Sequence, residues 1–401
     1  MAEDGHLPLT DLHPPLARER IRAMPHSRIR EVANVGFGVK DLARFWVGES
    51  DEPTPEFVRD AAIAALMESR TFYTHNRGNA DLREALSDYL HALHGRRFED
   101  DRLSITSAGV NGLMVAMQAV LEPGDRVVAV TPVWPNLVGI PVILGADVVR
   151  VGLEPRDGGW RLDLDKLIEA ITPGTRLVLF NSPNNPTGWT LPAEDRAPLL
   201  EHCRRLGVWL LVDDVYERLA YAPGPNAPSI LAMADPHDRV IGANSFSKSW
   251  RMTGWRLGWL VTPVQLEPEM GKLLEFNTSC PPDFVQAGAV AALTQGEPFV
   301  AALRASFLQR RDALLAGLAR LPGVEATSPD GGMYVLLRIA GHADSLALAK
   351  RLIGEARLGL APGVAFGPEA EGWLRWCFAV ADETLADGLS RLERWLASSR
   401  G

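Results

Sequence analysis

Between about residues 80 and 290, short apolar and β-branched runs alternate with segments that have the period of an amphipathic helix. The runs are RLSIT (102–106), DRVVAV (125–130), TRLVLFN (175–181), VWLLVDD (208–214), RVIGAN (239–244) and LGWLVT (257–262). Continuous apolar runs are typical of strands that are buried on both faces, and helices between them favour parallel pairing. The pattern therefore predicts an α/β fold whose central, mostly parallel sheet is flanked by helices.

The helices of this region are predicted near 110–121, from about Trp134 onward and near 193–205. In TPEFVRDAAIAALME, Thr54 is the predicted N-cap and Pro55 the first helical residue, because threonine caps helices and proline is favoured at their first position. After about residue 295 the pattern changes. Helices are predicted there at 297–320, 343–356 and 382–398, and strands at 331–339 and 373–380.

These changes divide the chain into three predicted parts. Residues 1–50 are irregular and rich in proline, and we expect an arm that packs on the small domain or on a partner subunit. Residues 51–294 are the predicted large domain, which contains the parallel sheet. Residues 295–401 are the predicted small α+β domain.

Composition and charge narrow the class of partner. The net charge of −9 argues against nucleic acid, whose binding proteins are usually basic. The chain lacks a run of about 18 apolar residues, so no membrane span is predicted. Its three cysteines are far apart, which indicates reduced thiols in a cytoplasmic protein. Their spacing offers no metal site.

Polar side chains lie at or just beyond the ends of successive predicted strands. NSPNNPTG (181–188) contains Asn185, DDVYE (213–217) contains Asp213 and Tyr216, and NSFSK (244–248) contains Ser245 and Lys248. Ligands bind at the carboxyl ends of the strands in such sheets. We therefore expect these side chains to meet at one binding site.

A lysine at such a site is a candidate nucleophile that forms a Schiff base with a carbonyl, and pyridoxal 5′-phosphate is the obvious resident carbonyl. The pyridine nitrogen of this cofactor needs a buried carboxylate, and its ring oxygen needs hydrogen-bond donors. Its phosphate needs a helix N-terminus, hydroxyls and an arginine, and its ring face needs a flat partner. The chain offers residues of each kind, so we predict a pyridoxal phosphate site.

The motifs SFSKSWRMTGWRLGW (245–259), NSPNNPTG and DDVYE carry a family resemblance that extends from residues 45–58 to residues 374–380. The chain resembles the class I/II aminotransferases, which are fold-type I enzymes dependent on pyridoxal 5′-phosphate. The resemblance implies a large domain with a mostly parallel seven-stranded sheet, and a smaller α+β domain.

The resemblance also implies catalytic roles for three residues. Lys248 is similar to the lysine that holds the cofactor as an internal aldimine and then moves a proton between the substrate Cα and the cofactor C4′. Asp213 is similar to the partner of the pyridine nitrogen. Tyr216, together with Asn185, is similar to the donors to the ring oxygen.

Further positions match residues that bind the cofactor or the substrate. Trp134 resembles the aromatic residue that stacks on the ring. The implied phosphate ligands are Ser245, Ser247 and Arg256, with Ala108, Gly109 and Val110 in the phosphate-binding turn. Tyr73 resembles the tyrosine that reaches the phosphate of a neighbouring subunit, which implies a homodimer with shared active sites. Arg375 resembles the arginine that clamps the substrate carboxylate, with Gly48 and Asn185 beside it.

Some positions depart from the common pattern of the family. Ala108 and Val110 stand where many relatives carry a hydroxyl or a lysine, so the phosphate turn relies on its backbone N–H groups. Without a lysine at position 110, specialisation for aspartate or glutamate by that route is disfavoured. Arg251 has two interpretations, a contact with an acidic substrate group or an exposed or ion-paired arginine, and the second is favoured. His75 is a candidate for the pocket lining.

The leading hypothesis is an aminotransferase that moves an amino group between an L-amino acid and a 2-oxo acid through pyridoxamine phosphate. The alternative is a lyase, cyclase or oxidase of an amino acid on the same fold, since no motif separates these reactions. A regulatory protein fused to a DNA-binding domain is disfavoured, because about 50 residues precede the fold and the chain is acidic.

Overall fold

The computed structural model describes residues 17–156 and 158–398. Its helices in chain order are α1 Glu19–Arg22, α2 Arg28–Val35, α3 Glu56–Met67, α4 Ala80–His94, α5 Gly109–Val120, α6 Pro135–Leu144, α7 Leu164–Ala170, α8 Ala193–Leu206, α9 Phe246–Ser249, α10 Glu267–Asn277, α11 Asp283–Gln295, α12 Glu297–Ala319, α13 Ser345–Ala356 and α14 Asp382–Ser398. Its strands are β1 Ala43–Arg44, β2 Leu103–Thr106, β3 Arg126–Thr131, β4 Asp147–Gly152, β5 Glu154–Arg156, β6 Gly159–Arg161, β7 Thr175–Asn181, β8 Trp209–Asp213, β9 Val240–Ser245, β10 Gly258–Val261, β11 Val324–Ala326, β12 Tyr334–Ile339, β13 Leu358–Gly359, β14 Ala361–Pro362 and β15 Trp373–Cys377.

The largest sheet has seven strands in the order β2–β10–β9–β8–β7–β3–β4. Its pairs are parallel except where β10 meets β2 and β9, to both of which it is antiparallel. The prediction of a mostly parallel seven-stranded sheet flanked by helices is therefore confirmed. Six of these strands coincide with the apolar runs read from the sequence.

The strand that the sequence did not reveal is β4, at the sheet edge. Its residues DVVRVG are mostly half-buried, and Asp147 is exposed. The side chain of Arg150 leaves the strand to bond Glu369, with 2.9 Å between Nε and Oε1. An edge strand is covered less completely than a central one, so it lacks the continuous apolar run by which the other strands were found.

Alternate residues of the central strands belong to different apolar clusters. Val128 of β3 and Val212 of β8 belong to one cluster. Val127 and Leu211, their neighbours in the chain, belong to another. Because side chains of a strand alternate between its faces, this division shows that both faces of the sheet are covered by apolar side chains.

A second sheet lies in the C-terminal part of the chain, with the antiparallel order β11–β12–β15–β14. The predicted helices at 297–320, 343–356 and 382–398 are confirmed as α12, α13 and α14, and the predicted strands contain β12 and β15. Short strand β1 pairs with β13, and Phe45 packs on Trp376 with 4.8 Å between ring centroids. The segment before α3 thus joins the core of this second sheet.

The predicted helix after Thr54 is α3, but its N-cap differs by one residue. Pro55 occupies the N-cap position and offers no side-chain hydrogen bond. The Thr54 hydroxyl instead donates to the carbonyl of Arg251 at 2.6 Å and accepts from Trp255 Nε1 at 2.9 Å. The Thr54 hydroxyl, which the local pattern assigned to the helix N-cap, therefore makes a tertiary contact instead.

Two surveys of the described residues bear on the partner classes. None of their helices has both the length and the apolar character needed to cross a bilayer. The same residues contain no group of three or more histidine, cysteine, aspartate or glutamate side chains arranged to hold a metal ion.

Candidate active site

The carboxyl ends of β7, β8 and β9 open on one cavity of about 620 Å³. This volume lies within the roughly 300–1,000 Å³ of small-molecule and cofactor sites. The predicted site residues that line it are Gly48, Gly109, Val110, Trp134, Asn185, Asp213, Tyr216, Ser245, Ser247, Lys248, Arg256 and Arg375. The structure therefore brings together twelve side chains or backbone groups from both sheets and from the segment before α3.

Lys248 lies in the short helix α9, which directly follows β9. Its Nζ donates to the carbonyl oxygen of Gly48 at 2.5 Å. Burial lowers the pKa of the amine to about 8. At pH 7 about a tenth of the amine is therefore uncharged, far more than for an ordinary lysine, and the uncharged form is the one that attacks a carbonyl.

Asp213 is the last residue of β8 and is buried. Its Oδ1 accepts from the backbone N–H of Val215 at 3.2 Å. Burial raises the pKa of this carboxyl to about 7, and the positive charge of Lys248 works against that rise. A cation bound in the cavity would stabilise the ionised carboxylate in the same way.

Asn185 is held from both sides by other polar groups. Its backbone N–H donates to Asn181 Oδ1 at 2.6 Å, and Asn181 Nδ2 donates to the carbonyl of Asp213 at 2.7 Å. Its own Oδ1 accepts from Arg375 Nη1 at 2.8 Å. Because the carbonyl end of the amide is bonded to Arg375, the Nδ2 end is left to donate to a ligand.

Arg375 belongs to β15, which lies between β12 and β14, so it is an arginine of an inner strand, and its side chain is buried. Its Nη2 donates to the carbonyl of Trp46 at 2.5 Å. The Nε atom is buried and lacks a hydrogen-bond partner among the described residues. A carboxylate in the cavity would match the planar fork of this side chain.

One end of the cavity is formed by backbone N–H groups, hydroxyls and an arginine. Gly109 and Val110 begin α5, and a Cβ atom at Gly258 would lie 2.6 Å from Gly109 N, so glycine at 258 allows this close approach. Ser245 Oγ donates to Ser247 Oγ at 2.8 Å. These groups, with Arg256 beside them, have the character of an anion site.

The comparisons with known proteins agree with this geometry. Residues 40–392 match the family described as "Aminotransferase class I and II". The chain belongs to this family. It is therefore a pyridoxal 5′-phosphate-dependent aminotransferase, as its motifs predicted.

Three relatives illustrate the extent of the match. The aspartate aminotransferase of Pyrococcus horikoshii is 32% identical over 385 residues, which are 95% of this chain and 97% of that protein. The arginine–pyruvate transaminase of Pseudomonas aeruginosa is 32% identical over 365 residues, or 90% and 92% of the two chains. The structure of a single mutant of Thermus thermophilus aspartate aminotransferase superposes with a TM-score of 0.88 at 32% identity, covering 94% and 99%.

The cavity of this aminotransferase fits its cofactor in its donor set. The amine of Lys248, the carboxyl of Asp213 and the donors of Tyr216 and Asn185 line the same cavity as the anion site. The buried Nε of Arg375 lacks a hydrogen-bond partner among the described residues and suits a substrate carboxylate. The groups that the cofactor and the substrate require are therefore all present on one cavity.

Two of the predicted cofactor-binding residues do not line the cavity of their own chain. The Tyr73 side chain is 92% exposed and lies outside the lining. Ala108 is buried just before α5 with φ of 126°, and its carbonyl accepts from the hydroxyl of Thr106. Ala108 therefore lies in the predicted phosphate turn, but its side chain does not contact the cavity.

The two residues left open by the sequence have other partners. Arg251 Nη1 donates to Glu52 Oε2 at 2.6 Å, so the interpretation as an ion-paired arginine is confirmed. His75 accepts from the backbone N–H of Arg77 at its Nδ1, 3.1 Å away, and does not line the cavity.

The structure also reveals lining residues that the motifs did not. Tyr334 bonds Tyr216, with 2.8 Å between the hydroxyl oxygens, and burial raises the pKa of both tyrosines, that of Tyr334 to about 12. Helix α2 and the segment after it add Ser27, Ile29, Arg30, Ala33, Trp46, Val47 and Glu49. Tyr334 lies in a predicted strand, but neither the pairing of that strand with the strand of Arg375 nor the position of α2 had a signal in the sequence, because both depend on tertiary packing.

Proposed function

We propose that Lys248, Asp213 and Tyr216 are the catalytic residues of this aminotransferase and that it moves an amino group between an L-amino acid and a 2-oxo acid. The observation that carries the proposal is the half-buried amine of Lys248, which lines the same cavity as Asp213 and Arg375. When bound, the cofactor supplies a carbonyl that accepts the amino group and a ring that withdraws electrons. Lys248 holds it and moves a proton at the substrate Cα.

The remaining side chains bind and orient the cofactor. Asp213 stabilises a protonated pyridine nitrogen, because a buried carboxylate and a cation stabilise each other. Tyr216 and the Nδ2 of Asn185 donate to the ring oxygen, and Trp134 stacks on the ring face. The phosphate is bound by the N–H groups of the turn Ala108–Val110 and by Ser245, Ser247 and Arg256.

The substrate carboxylate is clamped by Arg375, with the backbone of Gly48 and the amide of Asn185 beside it. This proposal is supported by the orientation of the guanidinium, whose Nη1 bonds Asn185 and whose Nε is left without a partner among the described residues. A bidentate contact would hold the substrate in the cavity that Lys248 also lines.

The amino donor is best sought with a panel of L-amino acids. Several relatives are named aspartate aminotransferases, and one is named an arginine–pyruvate transaminase. Aspartate is therefore the first donor to test, with 2-oxoglutarate and pyruvate as acceptors. Val110 lines the cavity and offers no cation for a second carboxylate, so neutral amino acids belong in the same panel.

The central test replaces Lys248 by alanine. We expect Lys248→Ala to lose multiple turnover and the absorbance band of the lysine-bound cofactor at roughly 360–430 nm, since no amine remains to hold the carbonyl. Lys272→Ala is the matched control, because Lys272 lies on α10 with 69% of its side chain exposed. If Lys248→Ala keeps both the band and turnover, the assignment of Lys248 is wrong.

We further propose a homodimer in which Tyr73 reaches the phosphate site of the partner. Its support is a set of exposed apolar side chains near Tyr73 in the sequence, with Met67 82% and Phe72 80% exposed. Several large, exposed apolar side chains are typical of a protein interaction surface. Light scattering should give twice the mass of the chain. Mixed Lys248→Ala and Tyr73→Ala chains should regain activity that neither has alone, and a failure to regain it counts against shared sites.

We also infer a cytoplasmic location. All three cysteines are free, and Cys203 and Cys377 are buried. Reduced thiols of this kind are typical of a reducing compartment. Cell fractionation checks the inference, and recovery of the protein with secreted or membrane fractions would contradict it.

A further inference from the structure

Tyr334 is the first residue of β12 and is fully buried beside the catalytic cavity. Its hydroxyl lies 2.8 Å from that of Tyr216, and the two rings meet edge to face, with 5.8 Å between centroids. Burial keeps the pKa of both phenols above the usual range, so each remains a neutral hydroxyl with one proton to donate.

The ring of Tyr334 also supports the clamp. The Cζ atom of Arg375 lies 4.2 Å from its ring centroid, and the ring of Phe366 lies 4.8 Å from the same atom. A guanidinium packed on aromatic faces in a water-poor site is stabilised by cation–π attraction. The two rings therefore restrict the plane of Arg375, which decides how a carboxylate can be bound.

The hydroxyl of Tyr334 also packs against Gly48. A Cβ atom at Gly48 would lie 2.2 Å from the Tyr334 hydroxyl oxygen and 3.2 Å from its Cζ. Gly48 is the residue whose carbonyl accepts from Lys248 Nζ. Tyr334 thus contacts Tyr216 and Arg375 directly, and also the backbone that bonds Lys248.

We propose that Tyr334 is a positioning residue, whose hydroxyl directs the proton of Tyr216 into the cavity and whose ring holds Arg375. A phenol has a single proton, so Tyr216 donates to the cofactor's ring oxygen best when a second group donates to its own oxygen. Tyr334 is placed to be that group. The proposal rests on the role proposed above for Tyr216.

The two parts of the proposal separate by substitution. Tyr334→Phe removes the hydroxyl and keeps the ring under Arg375. Tyr334→Leu removes both. If the role of Tyr334 were limited to packing, Tyr334→Phe would not affect the cofactor, because the volume of the ring is nearly unchanged.

The readout is a pH titration of the cofactor absorbance in the holoenzyme. In Tyr334→Phe we expect the midpoint to rise by about half a pH unit to one unit, the equivalent of one lost hydrogen bond to the group that stabilises the ring oxygen. The other titratable groups facing Lys248 and the tyrosine pair are Glu49, Asp213, Arg256, Arg375 and Cys377, and the substitution keeps them all.

Kinetics test the second part. Tyr334→Phe should leave the KM for the amino acid within about twofold of the wild type, because the cation–π contact remains. Tyr334→Leu should raise that KM by about tenfold. The matched control is Tyr221→Phe, since the Tyr221 hydroxyl donates to Gly332 at 2.6 Å, outside the cavity lining. It should shift neither the midpoint nor the KM.

A third variant pair needs no cofactor. Gly48→Ala should lower the melting temperature of the apoprotein, and adding Tyr334→Phe should recover part of the loss, since the nearest contact lengthens from 2.2 to 3.2 Å.

Tyr334→Phe with a wild-type midpoint, or Tyr334→Leu with a wild-type KM, would overturn the corresponding part of the proposal. A double variant as unstable as Gly48→Ala alone would contradict the close contact between the Tyr334 hydroxyl and Gly48. The cofactor absorbance band and the turnover of the wild-type protein test the proposed function itself. A failure of the proposed function would therefore be distinguished from a failure of the role of Tyr334.

Discussion

At the scale of single residues, the proposed chemistry depends on ionisable groups that are shielded from water. Asp213 and Tyr216 are buried, Lys248 is half-buried in the same cavity, and the loss of hydration shifts each pKa so that the uncharged form is favoured. An uncharged amine attacks a carbonyl, and an uncharged phenol donates a hydrogen bond. The charged forms of these groups are poorly stabilised by the cavity itself. A bound ligand of opposite charge would stabilise them.

The same burial extends behind the site, to Asp214 and Glu217, which do not line the cavity. Burial raises the pKa of Asp214, and it raises that of Glu217 to about 8. Burial also lowers the pKa of the neighbouring His94 to about 4. A carboxyl with a raised pKa stabilises the fold while protonated, and this contribution is lost as the pH rises through the folded pKa.

We therefore expect the free energy of unfolding of the holoenzyme to fall between about pH 7 and pH 8, where His94 is neutral in the folded state and largely neutral in the unfolded state. Glu217→Gln should make this fall smaller, because an amide does not ionise and its Oε1 still accepts from Asn244. Urea unfolding at a series of pH values measures it. Glu201→Gln, on the surface of α8, should keep the wild-type slope, and an unchanged slope in Glu217→Gln would contradict the expectation.

Most of the candidate site could be predicted from the sequence, because its polar and reactive side chains lie at or just after the ends of predicted strands. Lys248, Asp213 and Asn185 are of this kind. Tyr334 and the residues of α2 were missed because their contacts join distant segments. The Tyr334–Tyr216 bond spans 118 residues, and no local pattern encodes it.

At the scale of elements, helix and strand positions followed hydrophobic period, and the differences came from tertiary contacts. Thr54 bonds Arg251 where a helix cap was predicted. The edge strand β4 was missed because it is only partly covered and Arg150 interrupts its short apolar run. In both cases packing partners that are remote in sequence decide the outcome.

Helix α14 offers a test of such packing. A Cβ atom at Gly388 would lie 2.6 Å from the ring of Phe45 and 2.8 Å from that of Trp376. These rings are buried and rigidly packed, so Gly388→Ala should cost about 1–3 kcal/mol in the free energy of unfolding.

Gly354 of α13 is the matched control, because a Cβ atom there meets nothing within 4 Å. Gly354→Ala should increase the free energy of unfolding by about 0.5–1 kcal/mol, since alanine favours the helix. Urea unfolding of the two variants should therefore give changes of opposite sign. An increase in the free energy of unfolding of Gly388→Ala, as in the control, would mean that the aromatic contacts do not restrict Gly388.

At the scale of the whole molecule, residues 46–54 connect both sheets to the site. Trp46 and Gly48 bond Arg375 and Lys248 through their carbonyls. Further along, Glu52 bonds Arg251 at 2.6 Å and Arg310 of α12 at 3.3 Å. The segment thus connects α12 to Lys248 and Arg375, the residues proposed to bind cofactor and substrate.

We expect Glu52→Gln to lower the free energy of unfolding by about 1–2 kcal/mol, because two largely buried arginines lose a carboxylate that is itself partly exposed. The KM for the amino acid should rise as well, since Gly48 lies in the same segment. Thermal unfolding and steady-state kinetics measure both effects. Glu84→Gln, on the exposed surface of α4, is the control, and a variant as stable as this control would show that the ion pairs do not connect the parts of the molecule.

The bond between Arg375 and the carbonyl of Trp46 joins residues that are 329 positions apart. It has a consequence for the order in which the protein is made. A ribosome synthesises Trp46 first, Lys248 about 200 residues later, and the residues of β15 after both. A nascent chain can therefore complete the sheet that precedes Lys248 and still lack Arg375, the group proposed to bind the substrate carboxylate. A chain that stops before residue 375 would contain Lys248 and lack the proposed clamp, so we expect transamination only from chains in which β15 has folded.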